Sequence, residues 1–219
     1  MATKALLAAL TRAYHERTGC RVAIESVGGV DATARVLAGE ALDVVVLARD
    51  AIDKLLAAGH LVAGSVVDVV RSGVAVAVRR GAARPDIATD DDLRRAVLAA
   101  RTIGCSTGPS GVALGRLFER WGIADQIRER VVTPPPGIPV GALVARGEVE
   151  LGFQQLSELV DVAGIAVVGP LPPPIQIVTT FSGAVGARAA EPDGARALLA
   201  FLASPDAADA KRRHGMEPA

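Results

Sequence analysis

The chain has 219 residues, half of them hydrophobic and only 3% aromatic, with 24 Lys plus Arg against 24 Asp plus Glu. A formal net charge of zero lacks the basic surface that a nucleic-acid partner requires, and no apolar run reaches the ~18 residues of a membrane-spanning helix. The length allows one large or two small domains, and an Ala- and Val-rich composition punctuated by Gly and Pro suits small-residue helices packed on Val-rich strands.

Taken in chain order, the pattern predicts a helix over 4–18 that ends at Gly19 and carries Leu6, Leu7, Leu10 and Tyr14 on one face. Met1-Ala2-Thr3-Lys4 runs straight into it without an apolar h-region or cleavage site. The expectation is therefore a cytoplasmic protein as written, or a periplasmic one should the start lie upstream. Arg21 to Ser26 reads as a strand, followed by the loop Val27-Gly28-Gly29 and a helix to about Leu37. Leu42 to Leu47 is a buried strand, and Asp50 caps a helix through Ala58. Val66 to Val78 is a long β stretch interrupted at Arg71-Ser72-Gly73. Thr89-Asp90-Asp91-Asp92 is a helix-start signal rather than a metal site. Thr102 to Cys105 is a short strand, and a helix carrying Leu114, Leu117, Phe118 and Trp121 follows the loop Ser106–Gly111.

A shorter helix near 124–130 and a strand over Val131–Thr133 precede the run Pro134-Pro135-Pro136-Gly137-Ile138-Pro139, whose prolines forbid helix and central strand. A helix over Val140–Arg146, a strand over Val149–Phe153, another over 164–168, a proline connector at 170–174 and a β stretch over Ile175–Phe181 come next. Two helices close the chain, the second opening at Ser204-Pro205. The alternation predicts an α/β fold with a largely parallel sheet covered by helices on both faces. Breaks in the two long β stretches fit two lobes, 1–74 plus 178–219 and 75–177, whose two crossings form a hinge. One doubly wound domain is the alternative.

The run Ser106-Thr107-Gly108-Pro109-Ser110-Gly111 joins a strand to a helix start through small polar residues. That geometry aims free backbone N–H groups and a helix N-terminus at one point, which favours an anion. It lacks the Lys-Ser/Thr ending of a phosphate loop and is not GxGxxG, and Val112 stands where a nucleophile elbow needs glycine. Ser26-Val27-Gly28-Gly29-Val30 has the same chemistry. Plain βα turns are the alternative for both. Gln154 and Gln155 stand at the end of an apolar strand, where ligands bind in open α/β sheets. His15, His60 and His214 are too widely spaced for a metal site, and no cofactor motif is present. Cys20 and Cys105 are expected as buried small residues. Glu25, Asp43 and Asp68 fit paired buried charges, while Arg79-Arg80 and Lys211-Arg212-Arg213 fit solvated faces or helix C-termini.

The order of these motifs resembles the type II periplasmic-type solute-binding proteins, in particular the molybdate-binding branch of ABC-transporter binding proteins. The residues that carry it are His15–Gly19, Ser26–Gly29, Gly39-Glu40-Ala41-Leu42-Asp43-Val44-Val45, Gly108–Gly111, Val144–Val149, Phe201–Pro205 and His214-Gly215-Met216. The resemblance implies two α/β lobes with a ligand cleft between them, closing on a small anion, either a molybdate-like oxyanion or a small carboxylate. It places ligand contacts at Ala2 and Thr3, Gly28 and Gly29, Ser110 and Gly111, Gly137 and Ile138, and Gln155. An ABC permease is the implied partner of an exported member. This chain opens in a helix where the family opens with a strand, so the expectation is either a start that lies upstream or a lobe whose first strand is missing. It also carries Gln155 where the molybdate binders commonly place Tyr. Some relatives of the branch look like organic-acid isomerases acting on unsaturated tricarboxylates, such as aconitate isomerase. Glu158 and His60 are the candidate bases for that alternative.

Overall fold

A computed structural model describes residues 1–135 and 137–219; Pro136 of the triple-proline run lies outside them. In chain order the elements are α1 (Lys4–Thr18), α2 (Gly29–Leu37), β1 (Val44–Ala48), α3 (Arg49–Ala57), β2 (Val67–Arg79), α4 (Asp90–Ala99), β3 (Ile103–Cys105) and α5 (Pro109–Arg120). They continue with α6 (Ala124–Ile127), β4 (Val131–Val132), α7 (Val140–Arg146), β5 (Leu151–Gln155), β6 (Ile165–Pro170), β7 (Val178–Val185), α8 (Pro192–Ala203), α9 (Ala208–Arg213) and β8 (Glu217–Pro218). The chain divides into two compact units, Met1–Ser72 with Thr179–Ala219, and Gly73–Val178.

In the first unit, β7 pairs antiparallel with β1 in the register Val45↔Ala184, and β8 pairs antiparallel with β2 at Val70↔Pro218. Helix α1 buries Leu6, Leu7, Leu10 and Tyr14 with Val69, Val70, Leu198 and Leu202. It ends where Gly19 takes φ 74° and its N–H reaches the His15 carbonyl, the left-handed cap that only glycine enters without strain. A second cluster joins Val36, Ile52 and Leu55 to Val45, Leu47 and Ala184.

In the second unit, β3 pairs parallel with both β4 and β5. β2 joins antiparallel to β5 at Val76↔Phe153 and to β6 at Val78↔Ala166. One face packs Leu93, Val97, Leu114, Leu117 and Phe118 on Ile103 and Phe153, and the other lays Val140, Leu143 and Val144 on Ala75 and Ala77. Helix α7 approaches that closely because the strands beneath it carry glycine. A Cβ on Gly152 would lie 2.5 Å from Val144, and one on Gly104 2.7 Å from Val140.

Five expectations are corrected. The sheet is parallel only around β3; the long strand β2 enters the second unit antiparallel, so simple βα alternation overstates the parallel share. Arg21 to Ser26 forms no strand, because its side chains are largely exposed and no ladder partner lies beside it among the described residues. Cys20 in the same stretch is exposed, whereas Cys105 is buried and its thiol is pushed up to about 12 by that burial. Strand β2 runs unbroken through Arg71-Ser72-Gly73. Asp50 sits in the first turn of α3 behind the cap residue Ala48, where its charge faces the helix dipole without capping it.

Lys211 lies in the last turn of α9, one of the two places expected for it, but not on a solvated face. It is 1% exposed rather than solvated. Burial pushes its amine below the usual lysine range. The native state therefore binds fewer protons than the unfolded chain between that lowered value and about 10.4, and stability rises with pH across this window. Lys211→Met is expected to raise the melting temperature by about 2–4 °C at pH 7, on the order of 1 kcal/mol. The gain shrinks by pH 10, and paired thermal melts at the two pH values check both statements.

Candidate functional site

The parallel ladder of the second unit decides where its polar groups gather. Cys105 pairs with Phe153, so the chain leaves β3 and β5 at the same edge of the sheet. Ser106 and Gln154 follow directly, at the strand ends where open α/β sheets bind ligands. The loop after β3 then turns into α5, with Gly108 as the cap residue and Pro109 in the first turn, the position that suits proline best.

Ser110 lies on the first turn of α5 and is 5% exposed. Its hydroxyl lies 3.2 Å from that of Ser106, so two hydroxyls share the start of one helix. Gly111 is dictated by closeness: a Cβ there would collide with the Ser106 carbonyl oxygen. Gly111→Ala is expected to force the loop off α5 and destabilise the protein by about 1–3 kcal/mol. Chemical denaturation checks this, and a variant as stable as the parent would show that the loop yields without loss.

Gln154 and Gln155 end β5, both nearly fully buried. The Gln154 Oε1 accepts a hydrogen bond from the Gly141 N–H at 3.1 Å, which ties the start of α7 to the same strand end. A 3₁₀ turn over Leu156–Glu158 follows. Glu158 is half-buried there, and burial raises its carboxyl above the usual range.

Ser110, Gly111 and Gln155 thus stand at one edge of the second unit's sheet. Gly137 lies in the turn before α7 with φ 80°, and Ile138 is exposed beside it. Thr3, Gly28 and Gly29 belong to the first unit. Thr3 is the cap residue of α1 and is buried beside Ala2, while Gly28 caps α2 and Gly29 is its first residue. His60 is also in the first unit, where it lines a pocket of about 150 Å³ with Glu40, Leu42, Gly186 and Arg188.

The other charged groups singled out from the sequence have structural partners. Asp43 Oδ1 accepts from the backbone N–H groups of Ala190 and Glu191 at 2.7 and 3.0 Å. Asp68 accepts from the Ser182 hydroxyl at 2.6 Å and from Arg49 at 3.0 Å, which together hold its carboxyl below the usual range. Glu25 and Glu40 flank Arg35, and Glu25, Asp43 and Asp68 are all exposed, so none of the three is the buried charge expected.

Residues 1–217 match the family described as bacterial extracellular solute-binding protein. The chain belongs to this family. Solved structures place its fold among the type II periplasmic binding proteins. The periplasmic molybdate-binding protein of Azotobacter vinelandii matches at a TM-score of 0.80 and 21% identity, over 98% of this chain and 94% of that one. The substrate-binding domain assigned to a molybdenum ABC transporter of Clostridium difficile matches at 0.79 and 16%, over 100% and 95%. Among curated proteins, an aconitate isomerase from Pseudomonas sp. is 41% identical over 214 residues, 94% of this chain and 80% of that protein.

Two features of this solute-binding fold escaped the sequence. The Gln154–Gly141 tie joins residues 13 apart through a side chain and leaves no periodic trace. The proximity of Ser106 to Ser110 was written in their spacing of four residues, which brings them together only once Gly108 starts the helix between them.

Proposed function

We propose that this chain binds a small di- or tricarboxylate at the β3–β5 edge of the second unit and interconverts the double-bond isomers of an unsaturated one. The observation that carries the reading is the donor set: Ser106, Ser110, the α5 start and the Gln154–Gln155 amides are neutral, and a single carboxyl, Glu158, accompanies them. Hydroxyls and N–H groups hold a carboxylate without a full counter-charge. A carbon acid also needs a group that takes up and returns a proton. The 41% identity with an aconitate isomerase supports the same chemistry.

A molybdate-like oxyanion is the second reading. It is favoured by the two hydroxyls at a helix start and by the likeness of the fold to molybdate-binding proteins. Were the protein exported, an ABC permease would be its partner in that role.

One experiment separates the two. Purified protein is melted with molybdate, tungstate, sulfate and a panel of di- and tricarboxylates, because a ligand that binds only the folded state raises the melting temperature. It is then incubated with trans-aconitate while the cis isomer is followed by NMR. A shift with tricarboxylates and turnover to the cis isomer support the isomerase. A shift with molybdate alone and no turnover overturn it.

A further inference from the structure

We propose that the pocket of the first unit is a binding site for a small aliphatic α-amino acid, independent of the isomerase reading and of the β3–β5 edge. Three chain ends build it. Helix α2 ends at Leu37 and hands on Gly39 and Glu40, α3 ends just before His60, and β7, paired with β1 at Val44↔Val185, hands on Arg188 beside Leu42. Helix α2 has nine residues and begins at the Gly28–Gly29 turn, so the pocket lies at its opposite end, about 13 Å along the axis.

The backbone N–H groups around the pocket are already used. Gly39 donates to the Val36 carbonyl, Glu40 to that of Arg35, Gly186 to that of Asp43, and Ala187 to that of His60. Recognition therefore falls to side chains, and these carry opposite charges. Arg188 donates from Nη1 to the Gly39 carbonyl at 3.0 Å, a neutral acceptor that fixes the guanidinium without cancelling its charge. A Cβ on Gly39 would stand 3.1 Å from that nitrogen, so the glycine is what lets the guanidinium lie against the backbone. Glu40 is the next residue. Its carboxylate oxygens accept from Arg35 at 2.5 and 2.6 Å, and Arg35 is shared with Glu25, which leaves one negative charge in excess in that group.

Those charges choose the ligand. The C-terminal ends of α2 and α3 both reach the pocket, and helix C-termini carry partial negative charge. With Glu40 they attract an ammonium and repel a bare carboxylate. Arg188 does the reverse, and its fork of donors suits a carboxylate. A zwitterion satisfies both sides. Because Arg188 rests on the Gly39 carbonyl and Glu40 follows directly, the two charges flank one peptide unit, a spacing that fits an ammonium and a carboxylate on the same carbon. Val36, Leu42 and Val45 supply the apolar wall for the side chain. The pocket holds about 150 Å³. That is room for about five waters at ~30 Å³ each, below the ~300 Å³ at which sites for drug-sized ligands begin, so the side chain is no larger than that of valine or leucine.

The test uses the whole chain and L-valine and L-leucine as probes, with 4-methylpentanoate and isopentylamine as leucine stripped of one charge or the other. Thermal melts and calorimetry follow binding, because a ligand of the folded state alone raises the melting temperature. The parent is expected to be stabilised by L-leucine or L-valine, and the singly charged analogues to bind at least tenfold more weakly. Arg188→Gln and Glu40→Gln, each first shown to melt cooperatively, are expected to lose at least tenfold in amino-acid affinity. Arg188→Lys, which keeps the charge without the fork, is expected to fall between. No response of the parent to either amino acid overturns the proposal, whatever the variants do. So does 4-methylpentanoate binding as tightly as leucine, which makes the pocket an anion site. An amino-acid response that survives both Arg188→Gln and Glu40→Gln places the ligand elsewhere and overturns it too.

Discussion

Ser110→Asp is expected to weaken the binding of trans-aconitate by two to three orders of magnitude while leaving the fold intact. Ser110 is on the first turn of α5, where an acidic residue is favourable for the helix itself. A carboxylate there competes with the ligand for the same N–H groups and adds a like charge beside it. Two unit charges about 4 Å apart at an effective dielectric of about 20 repel by ~4 kcal/mol, and salt lowers this toward ~3. Ser110→Ala is the matched control. It removes one hydroxyl and leaves Ser106, so the loss is about 1 kcal/mol, or five- to tenfold in affinity. Calorimetric titration of the two variants separates charge from hydrogen bonding. Equal affinity in Ser110→Asp and the parent would remove Ser110 from the site, and with it the helix start on which the anion reading depends.

Much of the fold was legible because the signals are local. The Gly19 stop, the Thr89 capping box with Asp92, the Pro109 start of α5 and the apolar periodicity of α7 each depend on a few neighbouring residues. What was not legible depends on partners distant in sequence. Nothing in Arg21–Ser26 says that a β-prone segment will find no ladder beside it. Strand β5 starts two residues later than its apolar run and carries both glutamines inside the sheet. That shift is set by the β2 pairing Val74↔Gln155, across 81 positions of chain. Lys211 reads as one of three basic residues in a row, and only the tertiary packing buries it. In the site itself, residue types announced an anion edge, and the tie of Gln154 to the Gly141 N–H came from tertiary contact alone.

Phe153→Ala is expected to couple core and site in one measurement. Phe153 is fully buried in the middle of β5, opposite Cys105 on β3 and Val76 on β2, and meets the Phe118 ring edge-on at 6.1 Å. Its ring therefore fastens α5 to the sheet at the level where Ser106 and Gln154 begin. Truncation removes the aromatic contact and leaves a cavity in a close-packed layer, costing about 3–5 kcal/mol. For a chain of this length that is a fall of about 6–20 °C in melting temperature. The same cavity lets α5 settle toward β5, which displaces Ser110 from the strand-end amides, so tricarboxylate affinity is expected to drop about tenfold even below the new melting point. Phe153→Leu fills most of the space and is expected to recover most of both losses. Melting and titration of the pair check whether they move together. A variant that loses the stability and keeps the affinity would show that the strand ends hold their geometry without the ring beneath them.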